Sequence, residues 1–320
     1  MAGRRVLITG ISSPLGGELA RRLEADPDVA YLVGLDTRPP PAGLRRTEFH
    51  QADIREPQVM ELVPRTAVDT VVHNNILRRP RSGMSAATAH DINVIGTLQL
   101  LAACERTAPL RTLVVRGSAG IYGSEPAAPQ FFTEEMSDLY PLRTRFQRDV
   151  GEIEQYFAGF AGRRPDVTCT MLRYQPAVGP ALDTQLTRYL ASPVAPTYLG
   201  FDPRLQFTHA RDGLEALVAT IGRPVRGAVN VASRGTIGLT KLVRMAGRRA
   251  LGIPAPLFAA AVTTGNRMGL PVLSPDFRRL LRYGRGVDLT RLESDVGFRP
   301  AFTTVEAVAD YLRAQDRAAA

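Results

Sequence analysis

Arg5-Val6-Leu7-Ile8-Thr9-Gly10-Ile11-Ser12-Ser13-Pro14-Leu15-Gly16, followed by an acid at Asp36, is the stretch on which the fold turns. Residues 5–9 are a short apolar run with β-branched side chains, closed by Gly10, and read as a buried strand. Residues 10–14 are rich in turn formers. Leu15, Leu19 and Leu23 then recur at helical spacing, with Arg21, Arg22 and Glu24 on the opposite face. Residues 29–35 read as a second buried strand, ended by Asp36. The result is a βαβ unit of about 30 residues, whose parallel pairing requires a right-handed crossover.

A strand that runs through a glycine turn into a helix presents free N–H groups to an anion, and a dinucleotide pyrophosphate is the expected one. Gly10 permits the tight turn and Gly16 the close approach of helix to strand, while Ser12 and Ser13 add hydroxyl donors. Asp36 stands about 20 residues beyond the last loop glycine, where an acid accepts the ribose hydroxyls of NAD and repels a 2′-phosphate. The expected cofactor is therefore NAD ahead of NADP, with Arg38 as the residue that would serve NADP.

The alternation continues outward. Strands are expected at residues 47–50, 68–73, 110–115 and 167–172, and helices near 58–63, at 92–104 and at 146–160, where Val150, Ile153, Phe157 and Phe160 share a stripe. Repeated strand and helix mean an α/β protein with a doubly wound parallel Rossmann sheet. After Arg173 the texture changes: residues 174–206 are rich in proline and glycine and hold no long periodic segment. Residues 214–221 are helical again, 228–231 form a short strand, and 304–313 carry Val305, Val308 and Leu312 on one face. The expected organisation is a dinucleotide-binding domain over 1–173, with 205–235 returning to it, and a smaller C-terminal substrate-binding cap from 174–204 and 236–320.

Composition excludes several classes. Of 320 residues, 44% are hydrophobic and 22% charged, as in an ordinary globular protein. The longest charge-free stretch, residues 250–266, is broken by Pro254 and Pro256 and reads poorly as a membrane span. The apolar run at residues 6–9 is shorter than a secretory core, so the expected location is the cytoplasm. Two cysteines make no disulfide scaffold, and four histidines without clustered spacing make no zinc site, so no metal is expected. The net charge of +9 is spread in twos and threes, which reads as solvated faces and not as a nucleic-acid surface. Lys241 is the single lysine, so lysine chemistry must use it or not occur.

Across its whole length the chain resembles the extended short-chain dehydrogenase/reductases, the NAD-dependent epimerase/dehydratase family. Thr9-Gly10-x-x-Ser13-x-x-Gly16 matches that family's TGxxGxxG with serine for the middle glycine. Ala52-Asp53-Ile54 matches the turn that holds adenine, and His73-Asn74-Asn75 the strand end that passes the cofactor. Asn93-Val94-Ile95-Gly96-Thr97 matches NVxGT, and Ser118 to Gly123 the segment with the catalytic serine or threonine. Leu172-Arg173-Tyr174 with Gly179-Pro180, the segment from Phe207 to Asp212, and Asp288 with Val296-Gly297-Phe298 complete the series. The resemblance implies cofactor contacts at Gly10, Ser12, Ser13, Gly16, Asp36, Asp53, Ile54, Asn74, Asn75, Asn93, Arg148 and Tyr174. It also implies substrate contacts at Tyr122, Tyr174 and Arg285, and a homodimer through helices 85–107 and 145–160.

The departures bear on chemistry. The family's general acid/base is a tyrosine four residues before a lysine. Anchored on Glu152, those positions are Thr144 and Arg148. An aliphatic hydroxyl is far less acidic than a phenol, and an arginine donates hydrogen bonds without releasing its proton. Tyr140, Tyr122 and Tyr174 are the candidate replacements, and Ser118 keeps the donor role by resemblance. The expected activity is that of an NAD-dependent oxidoreductase or epimerase acting on a small hydroxylated or nucleotide-sugar-like metabolite, with a non-standard proton relay that lacks the usual tyrosine and lysine; Ser118, Thr144, Arg148 and Tyr140 are the candidate catalytic-site residues, Arg148 orienting the cofactor without an acid/base step. The alternatives are a non-redox dehydratase, isomerase or cyclase on the same scaffold, and a non-catalytic dinucleotide sensor.

Overall fold

The computed structural model describes residues 3–77, 84–180, 182–267 and 269–319. Its centre is a sheet built by the apolar runs noted above. β1 (Arg4–Thr9), β2 (Val29–Asp36), β3 (Thr47–Gln51), β4 (Thr70–His73), β5 (Thr112–Ser118) and β6 (Thr168–Tyr174) follow in sequence, and a later strand, Gly227–Val231, joins them. The seven strands are all parallel, with the late strand beside β6, then β5, β4, β1, β2 and β3. The order reverses between β1 and β4, where ligands settle in sheets of this type.

Helices cover both faces because every central strand is apolar on both sides. One face packs α1 (Pro14–Glu24) with Leu19 and Leu23. The other packs α2 (Val59–Arg65), α3 (Ala86–Glu105) and α4 (Arg145–Arg163) through Val63, Leu100, Ile153, Phe157 and Phe160. Strand β5 runs three residues beyond the expected Val115, which places Arg116 and Ser118 inside it.

The proline-rich segment is more ordered than its texture predicts. It holds β7 (Ala177–Val178), α5 (Gln185–Ala191), β8 (Val194–Tyr198) and β9 (Arg204–Leu205). Thr184 explains the helix: its side chain accepts from Thr187 N–H and Thr187 answers in a reciprocal cap. β10 (Thr208–His209) and α6 (Ala210–Gly222) lead back to the sheet face of α1, and β11 is the late strand Gly227–Val231. β12 (Ile237–Gly238), α7 (Leu239–Met245), β13 (Arg249–Ile253), α8 (Ala255–Arg267) and α9 (Pro275–Tyr283) follow. α10 (Thr290–Ser294) returns Leu292 to the sheet core, and α11 (Thr304–Ala319) closes the second half. A separate core of Leu186, Tyr189, Phe207, Phe258, Leu281 and Tyr311 holds that half together.

Candidate active site

The cleft starts at the β1–α1 turn. Gly10 has φ +69°, and a side chain there would meet the Asn74 backbone at 3.1 Å. A Cβ on Gly16 would lie 2.3 Å from the Gly10 carbonyl oxygen, so only glycine lets the helix approach the strand this closely. Ser13 is the N-cap of α1: its hydroxyl donates to Gly10 O at 2.7 Å and accepts from Gly16 N at 3.0 Å. Ser12 gives its hydroxyl proton to the Arg38 carbonyl. The two serines expected to donate to a pyrophosphate thus spend their protons on carbonyl groups. Pro14 has no N–H to offer. Among the described residues, the Leu15 N–H is the first-turn donor left for an anion.

Asp36 ends β2 and is 3% exposed. Its carboxylate accepts from Ser12 N at 3.0 Å and Thr37 N at 2.8 Å. Arg38 points to solvent and makes no ion pair with it. Ala52 N–H binds the Asp36 carbonyl, which fixes the next turn. There Asp53 is locked to Arg55 by two oxygens, and this hydrogen bonding holds its carboxyl below the usual range. Ile54 packs on Gly96, where a Cβ would come within 2.5 Å of it.

His73 ties this end together. Thr9 Oγ1 lies 2.8 Å from Nδ1 and Thr97 Oγ1 lies 2.9 Å from Nε2. Thr97 donates to the Asn93 carbonyl, and Thr9 accepts from Asn74 N. Those directions fit one neutral tautomer, with the proton on Nε2. Burial drives the His73 pKa down to about 4. Asn74 donates to Gly10 O and Ser13 Oγ, Asn75 follows it at the rim, and Asn93 clamps both the N–H and the carbonyl of Leu77.

The cleft then deepens into a cavity of about 270 Å³, lined by Leu77, Arg116, Ser118, Phe146, Tyr174 and Pro176 on the sheet side. Asp183, Thr184, Asp276, Phe277 and Arg285 line the opposite side. Ser118 sits at the end of β5, and its oxygen accepts from Gly120 N at 3.0 Å, which leaves the hydroxyl proton for a ligand. A Cβ on Gly120 would lie 3.1 Å from both Ser118 Oγ and Phe146 Cε1, so serine and ring are neighbours.

The candidate tyrosines do not reach the cavity with their hydroxyls. Tyr140 donates to the Ala127 carbonyl at 2.6 Å and stands edge-on to Phe132. Tyr122 stacks on Phe132, donates to Asn230 and accepts from Arg173; burial pushes its pKa up to about 12. Tyr174 lines the cavity with its ring, but its hydroxyl donates to the Gly213 carbonyl at 2.7 Å. Burial raises its pKa as well. A phenol whose proton is committed to a carbonyl and whose anion is desolvated is a poor acid/base.

Helix α4 differs from its reading too. Thr144 is its N-cap, in a reciprocal box with Gln147, and its hydroxyl donates to Asp276 at 2.5 Å. Arg148 is exposed and folds back on the Arg143 carbonyl at 3.2 Å, away from the cavity. The acid on α4 that pairs with Arg173 is Glu154, with contacts of 2.9 and 2.6 Å. The residue α4 does send to the cavity is Phe146, and one turn later Val150 is buried beside Ile121 and Tyr122. Sequence reasoning missed Phe146, Asp276 and Arg116. Arg285 lines the cavity, held by Gln175 and Gly123 O.

Three comparisons bear on this geometry. The family model described as "NAD dependent epimerase/dehydratase family" matches residues 6–232. "Uncharacterized protein Rv0501" of Mycobacterium tuberculosis is 38% identical over 315 residues, covering 96% of this chain and 83% of its own. Among solved structures, MoeE5 in complex with UDP-glucose and NAD superposes with a TM-score of 0.75 at 20% identity, covering 99% of this chain and 100% of that one. UDP-glucuronic acid 4-epimerase from Bacillus cereus, in complex with UDP-glucuronic acid and NAD, gives 0.73 at 15% identity over 98% and 99%. With the sheet order, the glycine turn and Asp36 in place, the match over residues 6–232 makes this chain a member of the NAD-dependent epimerase/dehydratase family.

Proposed function

We propose that the chain binds NAD along the C-terminal edge of the sheet and works on a small hydroxylated or nucleotide-sugar-like metabolite in the cavity, with a carboxylate in place of the family's phenol. The cradle fits the cofactor. The Gly10–Gly16 approach leaves room for a backbone-bound pyrophosphate, and the Asp36 carboxylate suits two ribose hydroxyls and opposes a 2′-phosphate. Bound NAD would supply a hydride acceptor at the nicotinamide. Ser118 donates its free proton to a substrate oxygen and polarises it.

The observation that carries the reading is Asp276. It lines the same cavity as Ser118, and Thr144 holds its carboxylate with a 2.5 Å hydrogen bond. The second oxygen is left to take a proton from substrate. Counted from Glu154 with the spacing used for Glu152, the tyrosine and lysine positions are Phe146 and Val150, so the apolar wall beside Ser118 is where the phenol would have been. Proton transfer then falls to Asp276, and Thr144 is its positioning residue.

A second reading, non-redox chemistry on the same scaffold, draws support from that apolar wall: a carboxylate takes a proton from an acidic C–H more readily than from an alcohol. Deuterium at the substrate carbon separates the two. Transfer of the label to the nicotinamide supports redox chemistry, and its loss to solvent supports proton abstraction without redox. Full activity with a redox-dead analogue of NAD sinks it. A homodimer across α3 and α4 draws support from Ile95 and Leu98, which are 40% and 41% exposed on α3.

A further inference from the structure

Arg116 is a charge that the fold does not answer. It lies on β5 two residues before Ser118, so both side chains leave the same face of the sheet. The guanidinium stands over the Tyr174 ring, 5.4 Å from its centroid, and lines the cavity. Its Nε is shut off from solvent and has no hydrogen-bond partner. Among the described residues no carboxylate pairs with it, and burial pulls its pKa below the ordinary arginine value. It stays charged at neutral pH all the same.

The other buried guanidiniums show what an answered charge looks like. Arg173 holds Glu154, the Glu134 carbonyl and the Tyr122 hydroxyl. Arg285 is held by Gln175 and the Gly123 carbonyl. Arg116 is half-buried, and leaving its enclosed Nε without such a partner is a cost that a neutral side chain of the same length would avoid. Among the described arginines with an enclosed, unpartnered Nε, Arg116 is the one that lines the cavity, where a ligand can answer it.

We propose that Arg116 binds a carboxylate of the substrate and holds it beside Ser118. This rests on the cavity being the substrate pocket. A carboxylate fits for two reasons. Its two oxygens match the planar fork of the guanidinium. Of the two arginines described in this lining, Arg285 is already held by Gln175 and the Gly123 carbonyl, so the anion that Arg116 meets among Ile76, Leu77, Phe146 and Pro176 is best a singly charged one. The cofactor's own phosphates are a poor match. Arg116 leans from β5 toward Tyr174 on β6, whereas the phosphate turn follows β1, two strands away on the other side and so about 10 Å off. The substrate is then a hydroxy acid or sugar acid, with its carboxylate close to the reacting carbon.

Arg116→Met tests this, because it keeps length and removes charge. Thermal unfolding of wild type and variant is followed alone and with acetate, lactate, glucuronate and neutral glucose, and NAD binding is measured by calorimetry. The expected result has three parts. The ligand-free variant melts at or above the wild-type temperature. At least one carboxylate protects the wild type and binds the variant roughly tenfold or more weakly, while glucose does not distinguish them. NAD affinity is the same in both. The inference is overturned if the ligand-free variant is destabilised, if no carboxylate protects the wild type, or if protection survives the substitution. Loss of NAD binding in the variant would also overturn it and make Arg116 a cofactor residue. Failure of the wild type to bind NAD would count against the proposed function and leave the carboxylate result to be read separately.

Discussion

The two ends of the cleft are built on different principles. At the β1–β2 end polar groups answer one another: Ser13 caps α1, Asp36 takes two N–H groups, and His73 is bonded on both nitrogens. At the β5–α4 end a phenylalanine and an arginine with an unpartnered Nε line the cavity with a serine whose proton is free, and one turn along α4 Val150 is buried among apolar side chains. The first end is a nearly complete network, with the buried Asn74 Oδ1 left to be answered, that a cofactor joins. The second is unfinished, and its unmet charges and protons describe what is to be bound. Binding and chemistry can therefore be broken separately.

The largest effect is expected at Asp276. Asp276→Asn keeps the hydrogen bond from Thr144 and removes the base. Turnover should fall by about 10²- to 10⁴-fold, the usual range for a general acid/base, with NAD affinity unchanged. Thr144→Ala should cost less and shift the pH profile, because it only positions the carboxylate. Normal turnover in Asp276→Asn would erase the proposed relay and leave the two ends without a division of labour.

The next effect belongs to the β1–β2 end and appears in stability. His73 has a pKa of about 4 when folded, against about 6.5 in an unfolded chain. Folding favours the neutral ring, so its contribution is complete above pH 6.5. It is lost as the pH falls from there toward 4, because only the unfolded chain takes up the proton. The loss is roughly 3 kcal/mol by linkage. Urea unfolding of wild type and His73→Gln at pH 7 and pH 4 isolates it from the carboxylates. The wild type should lose more stability on acidification than the variant, and parallel losses would contradict the buried neutral ring.

How much of this was legible in the sequence follows the same divide. The β1–α1 turn and Asp36 could be read because the contacts that shape them, Gly10 with Gly16 and Ser12 with Asp36, lie within 24 residues, and the turn dictates its own glycines. The other end is assembled across the chain: Thr144 meets Asp276 at a separation of 132 residues, and Gln175 meets Arg285 at 110. No local pattern marks such pairs. Two signals were nonetheless present. Arg173, on an otherwise apolar strand, called for a carboxylate, and Glu154 shares the side of α4 that carries Val150 and Phe157 and meets it; counting from it leads to the proposed Phe146 and Val150. An arginine following an otherwise apolar strand at 116 was a further mark. It went unread because the strand was ended at Val115, whereas pairing with β6 extends it to Ser118.

A smaller effect should come from Asp36. Removing a charged acceptor from two ribose hydroxyls costs about 1.5–3 kcal/mol, or roughly ten- to a hundredfold in NAD affinity. Asp36→Ala should weaken NADP less, since the repulsion of its phosphate disappears with the carboxylate. Calorimetry with both dinucleotides checks this, and equal losses would place the adenine ribose elsewhere.

The smallest effect is expected where the family pattern would predict the largest. Phe146→Tyr puts a phenol on the wall beside Ser118, at the position from which the family's general acid/base would act. A phenol titrates near 10 and needs a neighbouring cation to work at neutral pH. Four residues on, Val150 is 1% exposed among apolar side chains and supplies none, and Arg148 is turned to solvent. The single variant should therefore change turnover by less than about tenfold and leave the shape of the pH profile unchanged. A gain of two decades, with a new basic limb in the profile, would show that the reacting end still holds the field that a phenol needs. The contrast between the two ends would then come down to one missing oxygen atom, and Arg116, on the same wall, would be the first cation to test as its source.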